Sequence, residues 1–313
     1  MNVPVFDLHC DTAEFLSGFG GTSVSELRSN TAHIDLERAG KLAGYAQCFA
    51  CFTTTCENYD PVNAFEKKLA SIIREVEKNS DLIRIAYSAS EIEANRQKEI
   101  MSAILTIEGP AGFGFDPELL EDLYHVGFRI SSLGWNENNV LTGSNVTGGG
   151  LTDLGRAYVK EAQRLGMLVD VSHISDEGFW DIMDITQAPV VATHSNSRSV
   201  CQVSRNLTDE MFLAICKTGG VAGINMYTAF IGQNPTLDQL CDHILHFLEL
   251  DPTGKHIALG GDLDGCDTLC EGISGIQDYP LFADQLISRG IPENMVLDIF
   301  WNNAMEVLRK CCT

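Results

Sequence analysis

The sequence predicts an α/β protein whose alternating strands and helices close into a (β/α)8 TIM barrel. Eight short apolar runs recur along the chain, amphipathic helical patterns separate them, and no linker or repeat divides the 313 residues. A barrel of this kind needs about 250 residues plus insertions. We therefore expect a single (β/α)8 barrel domain over residues 1–313.

The eight apolar runs are predicted strands that are covered on both faces. Their hydrophobicity is nearly continuous rather than alternating, as in parallel strands flanked by helices. A doubly wound open sheet is the rival fold, but no glycine-rich phosphate-binding motif follows the first run. The runs span residues 5–11, 45–52, 103–109, 127–135, 167–173, 190–195, 221–226 and 257–262.

Helix signals lie between the apolar runs. Residues 63–78 and 237–248 each place apolar side chains on one helical face. Asp60-Pro61 is a typical helix start, because aspartate caps free N–H groups and proline at the first position needs no donor. Ile291-Pro292 opens a third helix. The glycine run 148–150 is expected to be a mobile loop beside the site rather than a domain boundary.

Charge and composition exclude several kinds of partner. The formal net charge of −22, with no local lysine or arginine cluster, repels nucleic acid phosphates and anionic membrane surfaces. The first residues lack the pattern of a signal peptide, and no stretch of about 20 apolar residues follows. The eleven cysteines are an odd count that is typical of reduced thiols. We expect a cytoplasmic protein that binds neither nucleic acid nor membranes.

Polar side chains interrupt the apolar runs at their C-terminal ends. In a (β/α)8 barrel these ends form the face that carries the active site. Residues two apart in a strand point the same way, so His9 and Asp11 at the end of the first run are expected to face the barrel axis together. The other side chains end the third, fifth, sixth and eighth runs: Glu108, His173, His194 and Asp262.

This set of side chains predicts a metal site. Imidazole and carboxylate suit zinc, and the set exceeds the three protein ligands typical of one catalytic zinc ion, so two ions fit better. A carboxylate has two oxygens, which makes Glu108 the natural bridge between the first-strand pair and the two later histidines. Asp262 then remains free to move protons. Each residue alone is ordinary, as a hydrogen-bonded core histidine or a helix-capping aspartate. Their shared position favours the metal site.

The motifs together resemble the membrane (renal) dipeptidase family, zinc peptidases among the amidohydrolase-like barrels. The resemblance extends over essentially the whole chain, and it is greatest to bacterial-type members because no anchor segment is evident. It rests on His9-Cys10-Asp11, His33-Ile34-Asp35-Leu36, Glu108-Gly109, Ser172-His173, His194-Ser195, Ser204-Arg205-Asn206-Leu207 and Gly260-Gly261-Asp262-Leu263-Asp264-Gly265.

The resemblance implies a zinc-dependent dipeptidase on a barrel of the metallo-dependent hydrolase type, and a homodimer is plausible from the family. In this scheme two zinc ions would share Glu108 as their bridge, and a hydroxide held between them would attack the peptide carbonyl. Asp262 accepts a proton and delivers it to the departing amine, so Asp262 and Glu108 are the expected catalytic residues. Free dipeptides are the implied substrates, including those with a C-terminal D-residue. The implied metal ligands are His9, Asp11, Glu108, His173 and His194.

Three further residues are predicted to bind the substrate. Arg205 matches the family arginine that binds the substrate carboxylate, a role suited to a planar guanidinium. Trp135 stands where the renal enzyme has a histidine thought to steady the tetrahedral intermediate, and indole cannot become cationic. Asn136 or a metal ion is then a candidate for the oxyanion contact. This departure leaves two alternatives open: a hydrolase of N-acyl amino acids or other carboxylate-bearing amides, and a catalytically silent metal-binding barrel.

Overall fold

The strands form one large parallel sheet and one small hairpin in the computed structural model, which describes residues 1–19, 26–233 and 235–312. The large sheet has the order β10-β11-β1-β2-β4-β5-β8-β9, with β3 paired to β4 outside this path, and β6 and β7 form the hairpin. The strands are β1 (Val5–Cys10), β2 (Tyr45–Phe52), β3 (Ile83–Ile85), β4 (Met101–Glu108), β5 (Phe128–Ser132), β6 (Thr142–Ser144), β7 (Gly148–Leu151), β8 (Leu168–Asp170), β9 (Val190–Val191), β10 (Ala222–Ile224) and β11 (Ile257–Leu259).

The large sheet closes into a barrel between β9 and β10. Ala192, which follows β9, forms a parallel bridge with Ala222 of β10. The Ala192 N–H donates to the Val221 carbonyl at 3.0 Å, and the Ala192 carbonyl accepts from the Gly223 N–H at 2.8 Å. The predicted (β/α)8 fold is confirmed, and each of the eight predicted runs contains one barrel strand.

Helices follow the barrel strands and cover the outside of the sheet. None of the described helices is both long and apolar enough to cross a membrane. They are α1 (Thr12–Ser17), α2 (Leu36–Ala39), α3 (Pro61–Lys78), α4 (Ala89–Arg96), α5 (Leu120–Val126), α6 (Asp153–Leu165), α7 (Asp176–Ile185), α8 (Asp209–Thr218), α9 (Thr228–Ile231), α10 (Leu237–Leu250), α11 (Tyr279–Ser288), α12 (Glu293–Leu297) and α13 (Asn303–Cys311).

The three helices predicted from start signals and apolar faces in the sequence are present in the structure. Helix α3 begins at Pro61, and the Asp60 carboxylate accepts a hydrogen bond from the Asn63 N–H at 3.2 Å, as the capping signal predicts. Helix α10 contains the predicted apolar face of residues 237–248. The third helix starts at Glu293 and continues through a π-helical turn into α13.

The glycine run 148–150 differs from the loop that its composition predicts, because it forms most of β7. Strand β7 pairs antiparallel with β6, and a side chain at Gly143 would overlap the Gly148 carbonyl, so glycine permits this close approach. The Leu151 N–H donates to the Asp181 carboxylate of α7 at 2.8 Å. The pairing with β6 and the hydrogen bond to Asp181 hold these residues in a strand, where the sequence predicts a loop.

An apolar cluster fills the end of the barrel at which the strands start. Phe6, Ile104 and Leu168 from three barrel strands belong to it, together with Trp301 and Met305 from the C-terminal helical segment. The rings of Phe6 and Trp301 lie 5.8 Å apart. Because this end is packed with side chains, a ligand can enter the barrel only from the opposite, C-terminal ends of the strands.

Candidate active site

A cavity of about 360 Å³ lies at the C-terminal ends of the barrel strands. Its volume falls in the range of small-molecule sites. Histidine and carboxylate side chains form one part of its wall, and the aromatic side chains of Phe52, Trp135, Tyr227 and Phe230 form another. The cavity can therefore surround an amphipathic molecule of modest size.

The first strand places His9 and Asp11 at the cavity. His9 is buried within β1, and Asp11 occupies the cap position of α1 directly after it. Unlike Asp60 before α3, Asp11 makes no side-chain bond to the helix. Its Oδ1 atom is buried and has no hydrogen-bond partner among the described residues. Helix capping therefore does not account for the Asp11 carboxylate.

His173 and Asp262 lie on strained backbone beyond the strands that precede them. Strands β8 and β11 end at Asp170 and Leu259, before the ends predicted from the sequence. His173 has φ of 69° and Asp262 has φ of 57°, in the left-handed region. Such conformations cost on the order of 1 kcal/mol or more in residues other than glycine, and they cluster at functional sites.

Glu108, the last residue of β4, lies between two sets of imidazoles. Its Oε2 atom is 3.4 Å from His9 Nε2. Its Oε1 atom is 3.0 Å from His173 Nε2 and 3.6 Å from His194 Nε2, and these two nitrogens are 3.1 Å apart. On the first side, His9 Nε2 is also 3.4 Å from Asp11 Oδ2. The two oxygens of one carboxylate therefore face two separate groups of potential ligands.

The opposite ring nitrogens of both later histidines are held by hydrogen bonds. His173 Nδ1 lies 2.9 Å from the Asn136 amide oxygen, which can only accept, so Nδ1 carries the hydrogen. His194 Nδ1 lies 2.7 Å from the Thr193 hydroxyl, which in turn donates to Asp170 Oδ2 at 2.5 Å. Both arrangements leave Nε2 without a hydrogen and directed toward Glu108, as a metal ligand requires.

Asp262 is oriented by Asn225, which directly follows β10, the seventh barrel strand. Its Oδ2 atom accepts a hydrogen bond from the Asn225 amide at 3.0 Å, while its Oδ1 atom lies 3.8 Å from His9 Nε2. A side chain at Gly265 would overlap carboxylate oxygens of both Asp11 and Asp262. Glycine at this position thus allows the two carboxylates to approach each other.

Burial and neighbouring charges shift the pKa values of the histidines of the site in different directions. Burial, followed by the charge of Arg205, lowers the pKa of His173 to about 4. Burial and the charge of His9 hold the pKa of His194 well below its usual range. Burial lowers the pKa of His9 too, but the charges of Glu108 and Asp11 outweigh it and raise that pKa. The two histidines that share Glu108 Oε1 are therefore neutral at pH 7.

Burial also raises the pKa of Asp262 to about 7, with further contributions from the charges of Asp11 and Glu108. The charge of His9 opposes this shift. A carboxyl group with a pKa near neutrality can both accept and donate a proton at physiological pH. A bound cation would lower this value, because it stabilises the ionised form.

Arg205 is a buried cation, and two of its nitrogen donors have no hydrogen-bond partner among the described residues. Its Nη1 atom donates to the Ser195 hydroxyl at 2.7 Å, and its guanidinium lies 5.6 Å from the ring of Phe230, which lines the cavity. Its Nε and Nη2 atoms are buried without a partner among the described residues. These two atoms form one edge of the guanidinium, the edge that binds a carboxylate through two parallel hydrogen bonds.

Trp135 and Asn136 both line the cavity but differ in what they contact. The Trp135 ring packs edge-on against Phe52 at 4.9 Å and lies 6.2 Å from the His173 ring. The Asn136 amide oxygen is bonded to His173, as described above. The geometry therefore gives Asn136 a role in orienting His173, and it gives Trp135 a place in the aromatic wall.

The residues at this site fit a divalent metal. Imidazole nitrogens and carboxylate oxygens converge, and one ligand atom from each of His9, Glu108 and His194 lies within 4.8 Å of the others, as does one from each of His9, Asp11 and Asp262. His9 Nε2 and Asp11 Oδ1 are buried without hydrogen-bond partners in the part of the chain that the structure describes. Such orphaned atoms are costly unless an ion completes them.

Three supporting residues were not predicted from the sequence. Asp170 and Thr193 precede the two histidines, and Asn225 lies inside the seventh predicted run, residues 221–226, in which no functional residue was expected. Asn225 carried a usable signal, since it is a polar residue inside an apolar run. The hydrogen bonds of Thr193 depend on side-chain direction and carried no such signal.

A parallel (β/α)8 barrel with a histidine and carboxylate cluster at its C-terminal face defines the class of metallo-dependent hydrolases. Within that class, the whole chain, residues 1–313, matches the family described as membrane dipeptidase, Peptidase family M19. The chain therefore belongs to this family of metallo-dipeptidases, which confirms the resemblance found in the sequence.

Individual relatives agree with this assignment. The chain is 30% identical over 268 residues to a Klebsiella pneumoniae protein described as an uncharacterized protein in the pqqA 5′ region, covering 80% of this chain and 97% of that protein. It is 28% identical over 327 residues to dipeptidase verJ of Clonostachys rogersoniana, covering 98% and 84%. A Rhodobacter sphaeroides metallopeptidase, crystallised with a phosphinate mimic of L-Ala-D-Ala, shares the fold, with a TM-score of 0.87, 24% identity and coverage of 99% and 100%.

Proposed function

We propose that this chain is a two-zinc dipeptidase that hydrolyses free dipeptides, including those with a C-terminal D-residue. The observation that carries the proposal is the position of Glu108, whose two oxygens face His9 on one side and His173 with His194 on the other. Glu108 would bridge two ions, with Asp11 completing the first site. When bound, the ions would acidify a water molecule and polarise the scissile carbonyl.

Asp262 is the proposed proton carrier. Asn225 fixes its Oδ2 atom, so the Oδ1 atom is the one that faces His9 and the ligand cluster. That atom would accept a proton from the attacking water and deliver it to the amine that leaves. The delivery is needed because an amide anion is a poor leaving group.

Charged groups in the cavity wall and directly beside it are suited to both ends of a free dipeptide. The open edge of Arg205 would bind the substrate carboxylate through two hydrogen bonds. The carboxylates of Asp264 and Asp267 also line the cavity and would favour the free ammonium group. Glu14 lines the cavity too, but its carboxylate is already paired with the Lys68 ammonium group. Recognition of both termini would exclude longer peptides and N-blocked substrates.

A substrate panel tests the proposal directly. Zinc-loaded protein, with its metal content measured, would be assayed on L-L dipeptides, L-D dipeptides and their N-acetylated counterparts. We expect cleavage of the free dipeptides only, with about two zinc ions per chain. Two bound ions without dipeptide cleavage would refute the proposal, and equal cleavage of N-acetyl substrates would favour the N-acyl amino acid alternative.

Replacement of Arg205 by lysine is expected to lower kcat/KM for dipeptides by about 100-fold. Lysine keeps the charge but lacks the planar edge, and two charge-assisted hydrogen bonds contribute about 3 kcal/mol together. The loss should appear mainly in KM, because the carboxylate lies away from the reacting carbonyl. Steady-state kinetics check this expectation, and a dipeptide amide without the carboxylate serves as control. Equal losses on dipeptide and amide would contradict the assigned role.

Replacement of Thr193 by valine is expected to weaken zinc binding by about 10–100-fold. Valine removes both the acceptor for His194 Nδ1 and the hydroxyl bonded to Asp170, so the imidazole is no longer fixed. Competition with a chelator measures the affinity. The matched control is Thr228→Val, whose hydroxyl bonds to the Thr268 hydroxyl and to no other side chain among the described residues. Equal zinc affinity in the Thr193 variant and the parent protein would show that another contact sets the tautomer.

A further inference from the structure

A second group of potential metal ligands lies outside the catalytic cavity. One ligand atom from each of Cys216, Asp251 and His256 lies within 4.8 Å of the other two. Cys216 is in the last turn of α8, Asp251 follows the end of α10, and His256 directly precedes β11. All three side chains are half-buried.

This group lies at the opposite end of the barrel from the active site. His256 stands at the start of β11, whereas Asp262 follows the end of the same strand. Six residues of extended chain span roughly 20 Å. The two groups of ligands are therefore separate sites that cannot share an ion.

The hydrogen bonds around the second group leave its ligand atoms available. His256 Nδ1 lies 2.7 Å from the Gly220 carbonyl, which can only accept, so Nδ1 carries the hydrogen and Nε2 keeps its lone pair. The Asp251 carboxylate accepts bonds from Thr253 but forms no ion pair among the described residues. Neither group has a neighbouring cation that already satisfies it.

One helix end adds negative potential to the same place. Asp251 follows the C-terminal end of α10, where unpaired carbonyls favour a cation and the last turn has no basic residue. The end of α8 contributes less, because Lys217 lies in its last turn and Lys310 donates to the Gly219 carbonyl that follows it. The charge of Asp251 also contributes, after burial, to the raised pKa of the Cys216 thiol, about 12.

We propose that Cys216, Asp251 and His256 form a third zinc site, which joins the ends of α8 and α10 to the start of β11. Thiolate, imidazole and carboxylate together suit zinc, with water in the fourth position. Ligand atoms around tetrahedral zinc lie roughly 3.5 Å apart, so the side chains need to approach by on the order of 1 Å. Half-buried side chains at a helix end and in loops allow that movement.

Binding of zinc to this site would release the thiol proton of Cys216. The S–H bond of Cys216 breaks, a zinc–sulfur bond forms, and the proton passes to solvent. His256 and Asp251 bind through lone pairs that are already free of hydrogen. No oxidant or other reactant is needed.

Cobalt substitution distinguishes this site from the catalytic one, because the catalytic ligands contain no sulfur. The full-length protein would be loaded with Co²⁺ and its near-ultraviolet spectrum recorded, with metal content measured in parallel. We expect a sulfur-to-cobalt charge-transfer band and about three ions per chain. In Cys216→Ser and His256→Gln the band should disappear and the content should fall to about two, with dipeptide cleavage unchanged.

A second cysteine provides the control. The thiol of Cys266 lies beside Asp262, so Cys266→Ser tests whether the band arises from the catalytic site. The band should persist in this variant. Its loss there, its survival in Cys216→Ser, or its absence from the parent protein would overturn the proposal. None of these outcomes depends on dipeptide cleavage, so the proposed function is tested separately.

Discussion

Replacement of Glu108 by glutamine is expected to remove at least one of the two proposed zinc ions and to lower kcat/KM by about 10³-fold or more. The substitution preserves shape but converts one oxygen into an N–H₂ group, which cannot bind a cation. Whichever way the amide turns, either His9 or the His173/His194 pair loses its carboxylate oxygen. The two positions depend on a single side chain, so one substitution affects both.

Metal content after gel filtration and steady-state kinetics on a dipeptide measure the effect of Glu108→Gln. Glu75→Gln is the matched control, because Glu75 is also a buried glutamate but bonds to the Leu27 N–H away from the cavity. The control should keep its metal and its activity. Full metal content in Glu108→Gln would rule out Glu108 as the bridge.

Replacement of Asp262 by asparagine is expected to lower kcat by about 10²–10⁴-fold while the metal content and KM change little. Asparagine can still accept the hydrogen bond from Asn225, so the loop should keep its place. What it lacks is the ability to take a proton from water and give it to the amine. The loss should therefore fall on turnover rather than on substrate binding.

Kinetics and metal analysis on the same preparation of Asp262→Asn separate two interpretations of this residue. Asp262 lies close enough to His9 and Asp11 to be a ligand itself. Loss of metal would assign it that role, and an unchanged kcat would mean that the proton travels by another route. Asp267→Asn, which alters an exposed carboxylate proposed to attract the substrate ammonium group, should raise KM and leave kcat nearly unchanged.

The barrel could be predicted because its strands are buried on both faces and therefore appear as continuous apolar runs. Each run contains a barrel strand, although β8 and β9 are shorter than their runs. The short outer strand β3 and the β6/β7 hairpin were not predicted. Their pairing depends on local close approaches, such as Gly143 against Gly148, which hydrophobic periodicity does not encode.

The ligand set could be proposed because each member ends an apolar run. Asp11, Glu108 and His173 line one cavity, and His9 and His194 are buried beside Glu108. The details that prepare the ligands could not be predicted. The hydrogen of His194 Nδ1 is fixed by Thr193, and the open edge of Arg205 is visible only once the neighbours of its donors are known. The Cys216, Asp251 and His256 group draws on three elements with no shared pattern in the sequence.

The distribution of the catalytic ligands along the chain has a consequence for protein synthesis. His9 and Asp11 leave the ribosome early, whereas His194 is made long afterwards. At about 5–20 residues per second, roughly 10–40 s separate them. Until His173 is made, the first pair has no histidine partner across Glu108, so an ion captured early would be held by a few ligands and lost readily. Stable loading of the proposed zinc ions would therefore follow translation of most of the barrel.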